Sequence, residues 1–179
     1  VGTANLIAVL IMTVELTSTL KDAKITKHLT DAKRFAYASY IAEASVAHGV
    51  DPYLVAAVIY TESRFTNLRV NKTRDYGLMQ VHWQRGWKAP WLKGLKRKDL
   101  YDPRTNIAAG THELAYVRAF CKKRGHGRWV KGGVARRHNW WAHYLFGVVV
   151  KKRWYDMRIE RVRSYLHRAA ARVRARNKV

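Results

Sequence analysis

The stretch LVAAVIYTESRF, residues 54–65, limits the possible folds of this chain more than any other segment. Leu54, Val55, Val58 and Ile59 recur at the spacing of a buried helix face, and Asp51-Pro52 supplies an N-cap and a first helical residue just before them. Continued by the same steps, the line through Val55 and Ile59 arrives at Glu62, a residue type seldom buried without a partner. A carboxylate there meets the unfavourable end of the helix dipole and an apolar flank. Both disfavour the charged form, as a proton donor near neutral pH requires. The stretch is also compatible with a surface glutamate beyond the last buried turn, paired with Arg64.

Helical periodicity continues over most of the chain. Helices are expected near residues 4–20, 30–48, 52–64, 104–121, 134–150 and 153–175, with Gly49 closing the second and Asp102-Pro103 opening the fourth. Between 65 and 103 the pattern breaks into short alternating runs and turn formers, which predicts a small β-hairpin or irregular cleft wall followed by a loop with short helical turns. Gly125, Gly127, Gly132 and Gly133 mark a further connection. The expected fold class is mainly α, in one domain of ordinary size.

Charge narrows the choice of partners. Lys and Arg number 35 against 12 Asp and Glu, a formal charge of +23, and from Cys121 onward there are 18 basic residues and 2 acids. Such a chain seeks polyanions: nucleic acid, anionic lipid or an anionic cell envelope. Cys121 is the only cysteine, which excludes an intramolecular disulfide and a cysteine-built zinc site, and it is expected to be a small partly buried residue. The opening VGTANLIAVLIMTVEL has its densest apolar run at Leu6 to Met12, shorter than the roughly 20 residues a bilayer needs. It reads as a packing helix, with a remnant of an export or anchor segment as the alternative. At the other end, Ile159, Val162, Leu166, Ala169 and Val173 form an apolar series among arginines, a basic amphipathic helix. The expected partition is therefore residues 1–30, a catalytic unit at 31–152 and the basic helix at 153–179.

A second stretch, DYGLMQV from Asp75 to Val81, places a glycine, two large flexible apolar side chains and an amide shortly after Glu62. Gly77 could bring backbone close to a ligand while Gln80 hydrogen-bonds it, although such a segment is also an ordinary turn. Asp75 reads as a turn residue bonding its own backbone. The combination of ES at the end of an apolar helix with GLMQV resembles the catalytic domain of the soluble lytic transglycosylases, in the lysozyme-like superfamily. NIAAGTHELAY is similar to that family's N-I-x-x-G helix, through Asn106, Ile107 and Gly110, and AHYLFG stands where the family has A-x-Y-N-x-G, with Leu145 in place of its Asn. The resemblance covers roughly residues 37 to 150.

The resemblance implies a lysozyme-like helical domain that cleaves the β-1,4 bond between N-acetylmuramic acid and N-acetylglucosamine in peptidoglycan. Glu62 would act as general acid and then as base, drawing the C6 hydroxyl onto C1 to leave a 1,6-anhydro end. Ser63 and Gln80 match positions near the cleaved sugar, and Met79 and Tyr144 match positions lining the cleft. Ser63 reads equally as a helix-end hydroxyl bonded to backbone, and Tyr60 as a core residue. No metal or organic cofactor is expected. Asp75 keeps a hydrolytic, lysozyme-like muramidase as the alternative, since a second carboxylate could activate water. The expected partners are glycan strands, with anionic envelope polymers or lipid at the C-terminal helix. The expected state is a monomer acting at the cell envelope, whether bacterial or phage-encoded. Trp140 and Trp141 are candidates for sugar or interfacial contacts, though most tryptophans are expected in the core. A nucleic-acid-binding protein is the distant rival, with no helix-turn-helix, zinc-ligand or RNA-binding aromatic motif to support it.

Overall fold

A computed structural model describes residues 3–67, 74–86, 88–124, 140–142, 144 and 153–177. The helices in order are α1 (Thr3–Asp22), α2 (Asp31–His48), α3 (Pro52–Ser63), α4 (Pro103–Arg124) and α5 (Arg153–Arg176). Between α3 and α4 lie the strands β1 (Asp75–Tyr76) and β2 (Val81–His82) and 3-10 turns at Pro90–Leu92 and Arg97–Tyr101. The fold is the mainly α, lysozyme-like arrangement the periodicity and motifs predict. The helix expected over 134–150 lies mostly outside the described residues, as do Leu145 and the four glycines from 125 to 133; Trp140–Ala142 forms a 3-10 turn.

The cap residues act as their chemistry predicts. Asp51 accepts from the Tyr53 N–H at 3.0 Å with Pro52 behind it, and Asp102 accepts from the Thr105 N–H at 2.8 Å. Gly49 closes α2 in the left-handed conformation at φ 61°, and Arg118 of α4 donates to the carbonyls of Gly49 and His48 at 2.6 and 3.1 Å, satisfying groups a helix end leaves open.

α3 is the centre of the molecule. The expected apolar stripe is in fact an all-round buried surface: every residue from Tyr53 to Ile59 is buried, because α2 and α5 cover separate sides. Tyr60, expected in the core, sits at its edge, half-buried, with its hydroxyl accepting from Arg64 at 2.8 Å.

α5 is part of this core rather than a tail beside it. Ile159, Leu166, Ala169, Ala170 and Val173 are buried where α5 crosses α1 and α3. Arg163 binds Asp51 at 2.7 Å, Arg172 binds Asp22 at 2.7 Å, and Arg174 binds Glu15 at 3.1 Å. Glu15 also accepts from the Tyr53 hydroxyl, so one carboxylate joins α1, α3 and α5. Burial, then the Glu15 contact, pushes the Tyr53 phenol up to about 12. The C-terminal half of α1 packs through Leu16 and Leu20, whereas Leu6, Ile7, Leu10, Ile11 and Val14 are exposed on one face. No helix among the described residues is long and apolar enough to cross a membrane.

Candidate active site

Glu62 occupies the last turn of α3 and is half-buried, so the helix that forms the centre of the core delivers one acid to its margin. The chain then turns sharply. Arg64 and Phe65 both adopt left-handed backbone, at φ 55° and 60°, a conformation that costs non-glycine residues energy. Two contacts hold it: the Arg64 N–H donates to the Tyr60 carbonyl at 3.2 Å, and the Phe65 ring is 1% exposed. The turn ends the helix one residue after Glu62.

The hairpin follows. Asp75 pairs with His82 and Tyr76 with Val81 in antiparallel register, and Gly77, Leu78, Met79 and Gln80 form the turn. This turn is fixed from α4. The Asn106 side-chain oxygen accepts from the Met79 N–H at 2.8 Å, and its amide nitrogen donates to the carbonyls of Tyr76 and Leu100 at 2.7 and 3.1 Å. Gly77 lies so close that a Cβ there would sit 2.3 Å from the Asn106 amide, and at φ 73° the backbone also favours glycine. One turn further along α4, a Cβ on Gly110 would sit 2.6 Å from the Met79 sulfur and 2.8 Å from the Tyr144 hydroxyl. Tyr144 donates to the Met79 carbonyl at 2.9 Å.

These contacts locate the predicted site residues. Met79, expected at the cleft lining, is completely buried, and Tyr144 is 9% exposed with its hydroxyl on backbone; both hold the turn in place. Ser63 is buried and donates to the Ile59 carbonyl at 3.1 Å, the helix-end bond that was its alternative reading. Gln80 is half-buried at φ 51°, its amide donating to the Gly77 carbonyl at 2.8 Å. Asp75, expected in a turn, lies in β1, where strand pairing sets it against His82, with Nδ1 at 2.8 Å. Trp141 is buried and stands edge-on against Trp140, under the Arg163 guanidinium. Cys121 is buried and free, and burial pushes its thiol up.

Sequence reading missed Glu113. It follows Asn106 and Gly110 on the same face of α4, is 9% exposed, and is pushed up to about 8 by burial and then by the charges of Asp75 and Glu62. The spacing 106, 110, 113 was the available signal. Beside the hairpin a cavity of about 1100 Å³ is lined by Arg74, Arg85, Lys96, Arg97 and Lys98 with Tyr76 and Trp83. None of these five cations forms an ion pair among the described residues. No group of metal-ligating side chains occurs among the described residues.

An acid closing a buried helix, followed by a glycine-led turn pinned by an asparagine, defines a lysozyme-like domain of the transglycosylase type. The profile of the Transglycosylase SLT domain matches residues 39–142, and the chain belongs to that family. It is similar to the membrane-bound lytic murein transglycosylase C of Edwardsiella ictaluri (strain 93-146), 34% identical over 98 residues that make up 52% of this chain and 27% of the relative. The protein of the same name from Photorhabdus laumondii subsp. laumondii is 33% identical over the same shares. The chain thus spans about a quarter of the length of these curated relatives. No solved structure matches it.

Proposed function

We propose that this chain is a peptidoglycan lytic transglycosylase that cuts the bond between N-acetylmuramic acid and N-acetylglucosamine. The observation that carries the reading is Glu62, half-buried at the end of the central helix beside a turn fixed by Asn106, Gly110 and Tyr144. The Glu62 carboxylic acid donates its proton to the glycosidic oxygen, the bond from that oxygen to C1 breaks, and the N-acetylglucosamine side leaves as an alcohol. The resulting carboxylate takes the proton of the muramoyl C6 hydroxyl as O6 bonds to C1. Glu62 ends protonated again and no water is consumed, so one acid suffices and the nucleophile belongs to the substrate. Gln80, the last residue of that turn, supplies an amide to the bound sugar.

A hydrolytic reading is kept by one observation: Asp75 lies near enough to Glu113 for its charge to act there, so the cleft holds more than one carboxyl. Digestion of purified walls separates the two. Transglycosylation gives muropeptides lighter by one water, ending in anhydro-muramic acid, whereas reducing ends alone indicate hydrolysis. Glu62→Gln is expected to fold normally and to lose wall clearing by roughly three or more orders of magnitude, since the amide neither gives nor takes the proton. Near-normal clearing by that variant overturns the assignment.

The proposed setting is the cell envelope. The cations beside the hairpin, and the exposed Arg161 and Arg168 of α5, favour contact with anionic wall polymers or lipid. The protein is proposed to act as a monomer without cofactor.

A further inference from the structure

Asn106, Gly110 and Glu113 follow one another on α4 at steps of four and three residues, a single face of the helix. The first two hold the GLMQ turn from below. The third continues the same line, and the groups whose charges reach it are Glu62 and Asp75. Glu113 is 9% exposed and no hydrogen bond or ion pair engages its carboxyl among the described residues, yet its oxygens are not among the fully occluded polar atoms there, so the carboxyl keeps a narrow opening to solvent. Buried polar groups ordinarily have partners, and leaving one without costs stability. Leucine or methionine would fill the same volume without the cost of burying most of a carboxyl, and the opening that remains gives its oxygens access to a ligand.

We propose that Glu113 is a substrate-positioning residue of this cleft, its carboxylic acid O–H donating to an acetamido or hydroxyl oxygen of the sugar bound beside Glu62. The inference rests on reading the cleft as a glycan site. Burial, then the neighbouring negative charges, hold the group protonated through the neutral range, with its value up at about 8. A neutral acid adds a hydrogen bond without repelling the lactyl carboxylate of muramic acid. Being protonated, it also cannot serve as a base toward water. Ionisation would remove the donor and add a negative charge in the same place.

Glu62 faces Glu113 from α3, and Asp75 faces it from β1 with its partner His82 on β2. On the α2 side, His48 is stacked on His112 of α4 and Glu43 is bound to Arg104. Glu113→Gln leaves all of these groups in place, so comparison with it isolates the one carboxyl.

The test measures affinity for the peptide-free tetrasaccharide of alternating N-acetylglucosamine and N-acetylmuramic acid, by calorimetry, in full-length Glu62→Gln protein. With Glu113 present, affinity should fall about tenfold between roughly pH 6 and pH 9, the weight of one lost hydrogen bond in a cleft. Glu113→Gln retains a donor that does not ionise, and its affinity should be flat over that range. Glu113→Leu should be weak throughout. If the Leu variant fails to fold, the comparison of Glu with Gln still decides. Parallel pH profiles with and without the Glu113→Gln change overturn the proposal, as does a folded Leu variant that binds as tightly as the Gln variant. Failure of the catalytic reading looks different: Glu62→Gln would clear walls like the parent while the binding profiles behave as expected.

Discussion

At the scale of single residues, the acid that reports most sharply on its surroundings is Glu113. Its folded value of about 8 stands above the ordinary 4.5 of the unfolded chain. Between those values the folded state holds a proton that the unfolded state has released. Stability is therefore complete below about pH 4.5 and declines as pH rises through about 8. Glu113→Gln removes that slope. The variant should melt with the parent near pH 4 and exceed it near pH 8 by on the order of 4 kcal/mol, at about 1.4 kcal/mol per unit. Chemical denaturation at the two pH values checks the sign, and a variant that gains nothing at alkaline pH contradicts it. Asn106 makes the opposite case, a polar residue fully used. Asn106→Ala leaves the Met79 N–H and two carbonyls without partners. It should cost about 3 kcal/mol in urea unfolding and lower wall clearing, because the GLMQ turn loses its anchor.

At the scale of elements, α5 is the helix whose meaning changed between sequence and structure. Its arginines read as an anchoring surface, yet Arg163, Arg172 and Arg174 are engaged with Asp51, Asp22 and Glu15. The guanidiniums of Arg176 and Arg172 hold the Asp22 carboxyl below its usual range. Ile159, Leu166 and Val173 close the core over α1 and α3, each worth about 2 kcal/mol of burial. Ending the chain after Lys152 should therefore unfold the domain, a loss comparable with the whole 5–15 kcal/mol of a typical domain. Circular dichroism melting of the truncated chain gives the answer directly: a cooperative transition near that of the parent would show α5 to be dispensable.

At the scale of the whole molecule, the charge of +23 acts over distances that single ion pairs do not. The cavity cations and the outward Arg161 and Arg168 make that field accessible without taking part in the core. Replacing Arg161 and Arg168 together by Gln should leave the melting temperature within about 2 degrees of the parent, as surface changes do. It should weaken sedimentation with anionic walls, and moderate salt should weaken the parent in the same direction by screening. Equal binding of parent and double variant at low salt would remove α5 from the attachment surface.

The sequence alone determined what local chemistry controls. Asp51-Pro52, Gly49 and Asp102-Pro103 mark helix ends wherever the chain places them, because capping involves only neighbours. The apolar spacing of residues 54–59 required a buried helix, and its continuation singled out Glu62. The motif GLMQ located the turn after it. Tertiary structure decided everything that depends on which surfaces meet. Met79 became buried because Gly110 lets α4 approach it, and Ser63 was occupied by its own helix. Asp75 found His82 only through strand register, and Tyr60 stopped at the rim of the core. Glu113 looks in sequence like one more surface acid on a mixed helix. It becomes a buried acid only when α3 and the hairpin bring Glu62 and Asp75 against that face of α4, since burial and like charge come from long-range packing rather than from neighbours along the chain.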